Sequence, residues 1–571
     1  MTQNNFYITT PIYYWNGVPH VGHFYSSLIA NTIFKYHKIS GKNARFTTGI
    51  DENSQKAVIE AEAAGMDIMD YLDSMAVEHT KVWDHFNFDY TDFIRTTEPR
   101  HHELVQKVLQ KCFDKSDIYE GEYEWMYCVW CEAFKKDDDL VYLNIEQNKT
   151  FPIKQWVKET TNIIKICPDH LKKPDQIKEK NYFFKLSKYQ TWMEEFYEAN
   201  PNFVTPRFRF NEVIAFTERG LEDFSISRET NTFGIPLPFD HSQVTYVWFD
   251  ALFNYYTSCV SSRGWDKNNE NFTDESDMFP ANLHVVGKDI IRFHAIFWPA
   301  MLASYFDLWE DKSGVIHYKT SDLEKLPDQI LAGWFFTVDG QKMSKSLWNV
   351  IEPVDYSQQY SKELLSLYIL SWFPIGNDGD YDRTDAIRTY NAKLANNLWN
   401  LVNRVVVLSL KLDHKLWAGI QDFVNLSWED YWPKMKELFP ESAEAILESY
   451  ANFEIVKQSM ASYDLKKALD TIFMMLDDLN KFTDSEAPWT LLKTDLEKAE
   501  IILYIIARRL VMVGFELYPF FPEKMAQMFE KFGLEKYDEI LEQWNLEQLQ
   551  KTTPEFNITE KWENLFDRFD I

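Results

Sequence analysis

The strongest constraint on the fold lies at the start of the chain, where a strand runs into a helix through a short polar turn. Phe6 to Thr10 reads as a strand. Pro11 and a turn holding Asn16, Gly17 and Pro19 follow, and a helix begins at about Val21. Tyr25, Leu28, Ile29, Thr32, Ile33 and Tyr36 then recur at three- and four-residue spacing, which gives that helix one buried face. A second strand, Ala44 to Thr48, stops at Gly49 before a helix rich in Ala and Glu. Far downstream Leu283 to Val286 ends at Gly287, with a helix expected near Asp289. Strands that alternate with helices in this way predict an α/β layer built on a parallel sheet.

At 571 residues the chain exceeds one hydrophobic core, so several domains are expected. We divide it at 1–116, a first α/β half; 117–225, an insertion with aromatic strands and a cysteine cluster; 226–325, the second half; 326–384, a lysine loop and connecting region; and 385–571, where helical periodicity prevails. Apolar residues at 45% and charged residues at 26% fit a globular chain. The most apolar run, Ile501 to Ala507, ends at Arg508 and Arg509, short of a membrane span. No basic, apolar leader precedes Phe6, so a cytoplasmic protein is expected. The net charge of -29 argues weakly against a nucleic-acid partner, because whole-chain charge does not set the potential of a local face.

Three short elements carry chemistry. His20-Val21-Gly22-His23 sits at the first strand-to-helix turn. Unpaired N–H groups and the positive end of the helix suit phosphate there, although two histidines at a turn serve as readily in capping or on the surface. Lys342-Met343-Ser344-Lys345-Ser346 follows Asp339-Gly340 and makes a cationic loop able to close on a leaving pyrophosphate; a solvated lysine loop would read alike. Cys128-Val-Trp-Cys131 and, after 35 intervening residues, Cys167-Pro-Asp-His170 supply three thiolates and an imidazole, a set suited to one closed, structural tetrahedral zinc. Cys112 and Cys259 sit in apolar surroundings and read as core.

Together the histidine turn and the lysine loop resemble the HIGH and KMSKS signatures of class I aminoacyl-tRNA synthetases. The resemblance narrows to methionyl-tRNA synthetases over Phe6 to His20, Thr48 to Lys56, Val247 to Ala251, Gly287 to Ile290 with His294 and Phe297 to Pro299, and Gly333 to Ser346. It implies a Rossmann-like catalytic domain, an inserted zinc-binding connective domain and an all-α anticodon-binding bundle. It also implies ATP-dependent activation of L-methionine, with Mg accompanying ATP, and transfer to tRNA(Met). His20, His23, Lys342 and Lys345 would be catalytic, and Gly22, Gly287, Ser344 and Ser346 would join them around ATP. Methionine would meet Asp51 through its ammonium, and Ile12, Tyr14, Trp248, Tyr255, Asp289, His294, Phe297 and Trp298 around its side chain. Asn400, Arg404 and Trp489, in segments resembling the family's anticodon-binding markers, would read the anticodon. The closing segment, Asn564 to Ile571, resembles the end of the synthetase body, which implies a monomer without an added dimerising module.

Two readings compete: a class I synthetase for another apolar amino acid, and an inactive tRNA- or zinc-binding relative. The first lacks the large editing insertions such enzymes carry, and the intact histidines and lysines oppose the second. The chain departs from the family at Asn53-Ser54, which replace His-Gly, and at Ala332, which replaces a histidine. Trp125, Trp130, Trp348 and Trp399 stand where small residues, often glycine, are usual. With 20 Trp against 18 Gly, we expect these four to be UGA codons that the source reads as glycine.

Overall fold

The computed structural model describes residues 4–570 except 129–132, 136–139, 148, 153–161, 169–170, 230, 262–277, 334–335, 339–340, 343–350, 373–378, 413–414, 535–555 and 561. Its centre is a six-stranded sheet of β1 (Asn5–Tyr14), β2 (Asn43–Asp51), β3 (Asp92–Arg95), β4 (Val204–Thr205), β5 (Leu283–Gly287) and β6 (Gln329–Gly333). The strand order is β4-β6-β5-β1-β2-β3, and every neighbouring pair is parallel. Both faces are covered, so Tyr7, Ile8, Val285, Val286 and Leu331 are buried rather than alternating with polar residues. From β1 the sheet grows one way through β2 and the other way through β5. The crevice at the strand ends between β1 and β5 is therefore the position where such sheets bind ligands.

The strands run further than local pattern suggests. β1 continues past Pro11 to Tyr14 because its register on β2 shifts between Thr9 and Ile12, a bulge that absorbs the proline. β2 passes through Gly49 to Asp51 instead of stopping. A Cβ on Gly49 would lie 2.0 Å from the carbonyl oxygen of Ile94 on β3, so this glycine permits close strand approach and does not end the strand. The helix expected near Asp289 starts just beyond it, in a turn that leads into a π-helical stretch, Phe293–Phe297.

The region 117–225 is composite. Ile118–Cys128 pairs antiparallel with Asp175–Phe184, and a smaller sheet joins Val141–Asn144, Lys149–Pro152 and Ile163–Ile166. Yet Val204–Thr205 pairs in parallel with β6, so the later part of this region returns to the central sheet. Cys112 and Cys259 are both fully buried, and burial pushes the Cys112 thiol up to about 12.

Helix α1 (Val21–Ile39) packs on the sheet. Beyond Tyr381 the described residues hold helices and no strands, among them α2 (Asn400–Ser409), α3 (Ala443–Ser449), α4 (Leu465–Glu486) and α5 (Leu496–Leu517). Every residue of α5 from Ala499 to Leu517 is buried, so the apolar run noted above is the central post of a bundle. Among the described residues no helix is long and apolar enough to cross a membrane. Trp399 is 6% exposed, its indole N–H donates to Asn564 Oδ1 at 3.3 Å, and its ring packs by Trp562. Trp130 and Trp348 and the side chain of Trp125 lie outside the described residues.

Candidate active site

A cavity of about 320 Å³ opens at the carboxyl ends of β1, β2 and β5. Ile12, Tyr14, His20, Gly22, His23, Asp51, Trp248, Tyr255, Gly287, Asp289 and His294 all line it, with Pro11, Tyr13, Ser26, Ala251, Leu252, Asn254 and Ile290. Eleven positions singled out from the sequence thus share one space. Phe297 and Trp298 stand behind the wall instead. Phe297 stacks on Phe224 at 4.2 Å, and the fully buried Trp298 meets Phe253 and Tyr255 edge-on.

The histidine turn is built by its own backbone. His20 caps α1: its Nδ1 accepts the Gly22 N–H at 3.0 Å. The proton of a neutral His20 is therefore on Nε2. A Cβ on Gly22 would come within 2.8 Å of His20 Cε1, so glycine keeps room for the folded-back ring. His23, one turn on, stacks over His20 with centroids 4.0 Å apart. The result is two imidazoles at the positive end of a 19-residue helix.

Asp51 ends β2, in register with Tyr14 on β1, and is 6% exposed. Behind it Asn53 donates through Nδ2 to Asp250 Oδ2 at 2.8 Å and to the Thr96 carbonyl at 3.0 Å. Ser54 caps the next helix and accepts the Trp15 indole N–H at 3.3 Å. These two departures from the family thus hold built, hydrogen-bonded positions. Glu52 is fully buried and ion-paired to Arg95 at 2.8 Å, so of the two adjacent acids only Asp51 lines the cavity.

On the aromatic side Trp248 lies flat on Phe293 at 3.8 Å. His294 Nδ1 donates to the Ile290 carbonyl at 3.1 Å, which leaves Nε2 to accept the Tyr255 O–H at 2.7 Å. Burial lowers the His294 pKa to about 4 and raises that of Tyr255, so both are neutral. His284, which sequence reasoning passed over, lies behind Tyr255 at 4.4 Å and bonds Thr9 through Nδ1 at 2.6 Å. Nothing in its local sequence marks it, since its partners come from distant strands.

Of the lysine loop, the backbone of Gln341–Lys342 pairs antiparallel with Phe336–Val338. The Lys342 side chain and Ser344, Lys345 and Ser346 lie outside the described residues. The chain returns at Ile351, whose carbonyl accepts the Val21 N–H at 3.1 Å, inside the histidine turn. Of the proposed zinc ligands, Cys128 ends a strand and Cys167 follows one, both buried. The loop after Cys167 is closed by bonds from its N–H to the Lys172 carbonyl (2.9 Å) and from the Leu171 N–H to its own carbonyl (2.8 Å). Cys131 and His170 lie outside the described residues, among which no group of three or more metal-binding side chains assembles.

In the bundle, Arg404 on α2 pairs with Asp484 on α4 at 2.7 Å. Trp489, 41% exposed, follows the end of α4, and Asn400 lies one turn before Arg404.

Residues 6–406 match the family model described as tRNA synthetases class I (M). The methionine–tRNA ligase of Fusobacterium nucleatum is 36% identical over 552 residues, spanning 95% of this chain and 78% of that protein. That of Rickettsia bellii is also 36% identical, over 95% of this chain and 96% of its own. Among solved structures, Mycobacterium tuberculosis methionyl-tRNA synthetase bound by methionyl-adenylate superposes with a TM-score of 0.80 at 27% identity, covering 99% of this chain and 100% of that one. With its parallel sheet, histidine-capped helix and aromatic cavity, this chain belongs to the class I aminoacyl-tRNA synthetases, in the methionine–tRNA ligase family.

Proposed function

We propose that the chain activates L-methionine with ATP to methionyl-adenylate and transfers the methionyl group to tRNA(Met). The observation that carries this reading is the single cavity shared by the histidine turn, Asp51 and the aromatic wall. A carboxylate beside a flat, largely apolar box suits an α-amino acid with an apolar side chain. Sulfur–aromatic contacts of about 0.3–1.5 kcal/mol each favour the thioether over a plain alkyl chain.

In the proposed reaction Asp51 holds the substrate ammonium. Ile12, Tyr14, Trp248, Tyr255, Asp289 and His294 surround the rest of the amino acid, with Phe297 and Trp298 supporting that wall. The methionine carboxylate attacks the α-phosphorus of ATP and pyrophosphate departs. His20, through Nε2–H, and His23 stabilise charge on the phosphate oxygens, aided by the amino end of α1. Gly22 and Gly287 let the nucleotide approach the backbone. Lys342, Ser344, Lys345 and Ser346 close on the leaving pyrophosphate. The Ile351–Val21 hydrogen bond supports this placement, because it ties the end of the lysine loop to the turn that bears the histidines. A ribose hydroxyl at the tRNA 3' end then displaces AMP from the adenylate carbonyl.

Zinc, held by Cys128, Cys131, Cys167 and His170, would supply a structural staple. Two buried cysteines at strand ends, one followed by a tightly closed loop, fit that role. Asn400, Arg404 and Trp489 would meet the anticodon, where an exposed indole offers a stacking face for an unpaired base. A cytoplasmic monomer divided as given above, with the insertion rejoining the catalytic sheet at Val204–Thr205, completes the reading.

The test is amino-acid-dependent ATP–pyrophosphate exchange. Methionine should drive it, whereas leucine, isoleucine and valine should fall at least a hundredfold behind in kcat/KM. Exchange driven best by another of these amino acids would overturn the substrate, and exchange with none would overturn the activity.

A further inference from the structure

The wall beside the proposed methionine side chain has a second layer. His284 on β5 and Thr9 on β1 are register partners in the parallel sheet, so both side chains leave the same face. His284 is 1% exposed and Thr9 is fully buried. His284 Nδ1 and Thr9 Oγ1 are hydrogen-bonded at 2.6 Å, and His284 Nε2 meets no partner among the described residues. One bond therefore fixes this ring to the sheet.

Neither residue lines the cavity, but Tyr255 does, and its ring lies 4.4 Å from that of His284 at an angle of 47°. The Tyr255 carbonyl accepts the Tyr7 O–H at 2.9 Å, and its own hydroxyl donates to His294 at 2.7 Å. Those bonds set the two ends of the residue; packing sets the plane of the ring between them. The His294 ring is 5.9 Å from His284 as well, so one anchored imidazole backs both members of the Tyr255–His294 pair. A buried polar ring is a costly filler for this place. Burial, with His294 beside it, pushes the His284 pKa well below its usual value, and leucine would fill the space without lost hydration. What leucine lacks is the bond to Thr9, which stops the ring from turning about its side-chain axis.

We propose that His284, anchored by Thr9, is a positioning residue that fixes the Tyr255 ring and with it the Tyr255–His294 hydrogen bond. The proposal rests on the reading of this cavity as the methionine site, and it gives His284 no contact with substrate. Loss of the anchor should loosen methionine binding while sparing ATP binding and the chemical step.

Thr9→Val keeps the shape of the side chain and removes the hydroxyl, whereas Thr9→Ser keeps the hydroxyl. In pyrophosphate exchange Thr9→Val should raise KM for methionine about three- to tenfold, the worth of one buried hydrogen bond, with kcat and KM for ATP nearly unchanged. Thr9→Ser should stay near the parent. The double variant Thr9→Val/His284→Leu replaces both partners by apolar groups of similar size, so it should melt no lower than Thr9→Val alone. Its methionine KM should nonetheless remain raised, whereas a merely structural role predicts that KM recovers with stability. Nitrogen NMR of the His294 ring needs no substrate: Nε2, which accepts the Tyr255 hydroxyl, should shift in Thr9→Val and not in Thr9→Ser. An unmoved Nε2 signal in Thr9→Val, an equal rise of methionine KM in Thr9→Val and Thr9→Ser, or a parallel loss in kcat and ATP binding would each overturn the role of His284. Failure of methionine to drive exchange in the parent would instead remove the substrate reading, and the NMR comparison would still decide whether His284 holds the pair.

Discussion

The N–H of Val21, between the two histidines, donates to the carbonyl of Ile351, just past the lysine loop, at 3.1 Å. One backbone hydrogen bond therefore joins two stretches that are more than half the chain apart. Val21 is the first residue of α1, where proline is tolerated, and His20 before it is already extended at φ -92°, ψ 176°. Val21→Pro should thus delete the donor and keep the helix start, while it also replaces a buried side chain. We expect pyrophosphate exchange to fall about three- to tenfold, the worth of one such bond, together with a modest fall in melting temperature. Val21→Ala, which keeps the N–H, should retain most of the rate; an equal loss in both variants would assign the effect to the buried side chain.

His20 and His23 stack at 4.0 Å at one helix end. His20→Asn can still cap the helix but loses the ring. It should lower kcat for adenylate formation roughly 10²- to 10³-fold, as removal of one donor from a charged transition state does, and His23→Asn should do likewise. KM for methionine should move far less, since neither ring contacts its side chain in this reading. Steady-state exchange kinetics separate the two effects.

His294 is held neutral between the Tyr255 hydroxyl and the Ile290 carbonyl, its pKa lowered to about 4 by burial. The folded value lies below the unfolded one near 6.5. The neutral ring's contribution to stability is therefore complete above about 6.5 and is lost as pH falls through about 4. Nitrogen NMR of the ring should show an unchanging Nδ1–H tautomer from pH 5 to 8. A midpoint above pH 6 would mean that the buried pair is wrongly described.

Asn53 donates to the buried Asp250 carboxylate at 2.8 Å. Asn53→Ala strips one partner from a carboxylate shut away from water, which costs about 1–3 kcal/mol. Denaturant titration should show that loss. The methionine KM should rise as well, because Asp250 lies between Phe249 and Ala251, and Ala251 lines the cavity.

Trp399 is packed and hydrogen-bonded through its indole. Trp399→Gly should therefore cost about 3–5 kcal/mol for the lost aromatic side chain, whereas a misread glycine codon predicts a glycine variant at least as stable. A UGA codon at this position, together with a glycine variant that melts no lower, would establish the misreading.

Local chemistry made part of this protein readable in one dimension. The apolar periodicity of α1, the polar turn before it, and the strands at Phe6, Ala44 and Leu283 depend on near neighbours, so they survive as pattern. Most of the candidate site was legible only through the resemblance to a known family; the sheet explains why those positions meet, because Asp51 and Gly287 end parallel strands, Asp289 lies just beyond one, and His20 caps the helix that follows β1. Gly49 was misleading in isolation. Its meaning comes from the Ile94 carbonyl on a neighbouring strand, which no local window contains. The resemblance places Phe297 and Trp298 around methionine, yet neither lines the cavity: Phe297 ends the π-helical stretch and Trp298 opens the helix after it. The Ile351–Val21 bond, the return of Val204–Thr205 to the central sheet and the meeting of Thr9 with His284 are likewise tertiary decisions. Each depends on which distant backbone or side chain arrives alongside, and that is settled only when the whole chain buries its apolar surface together.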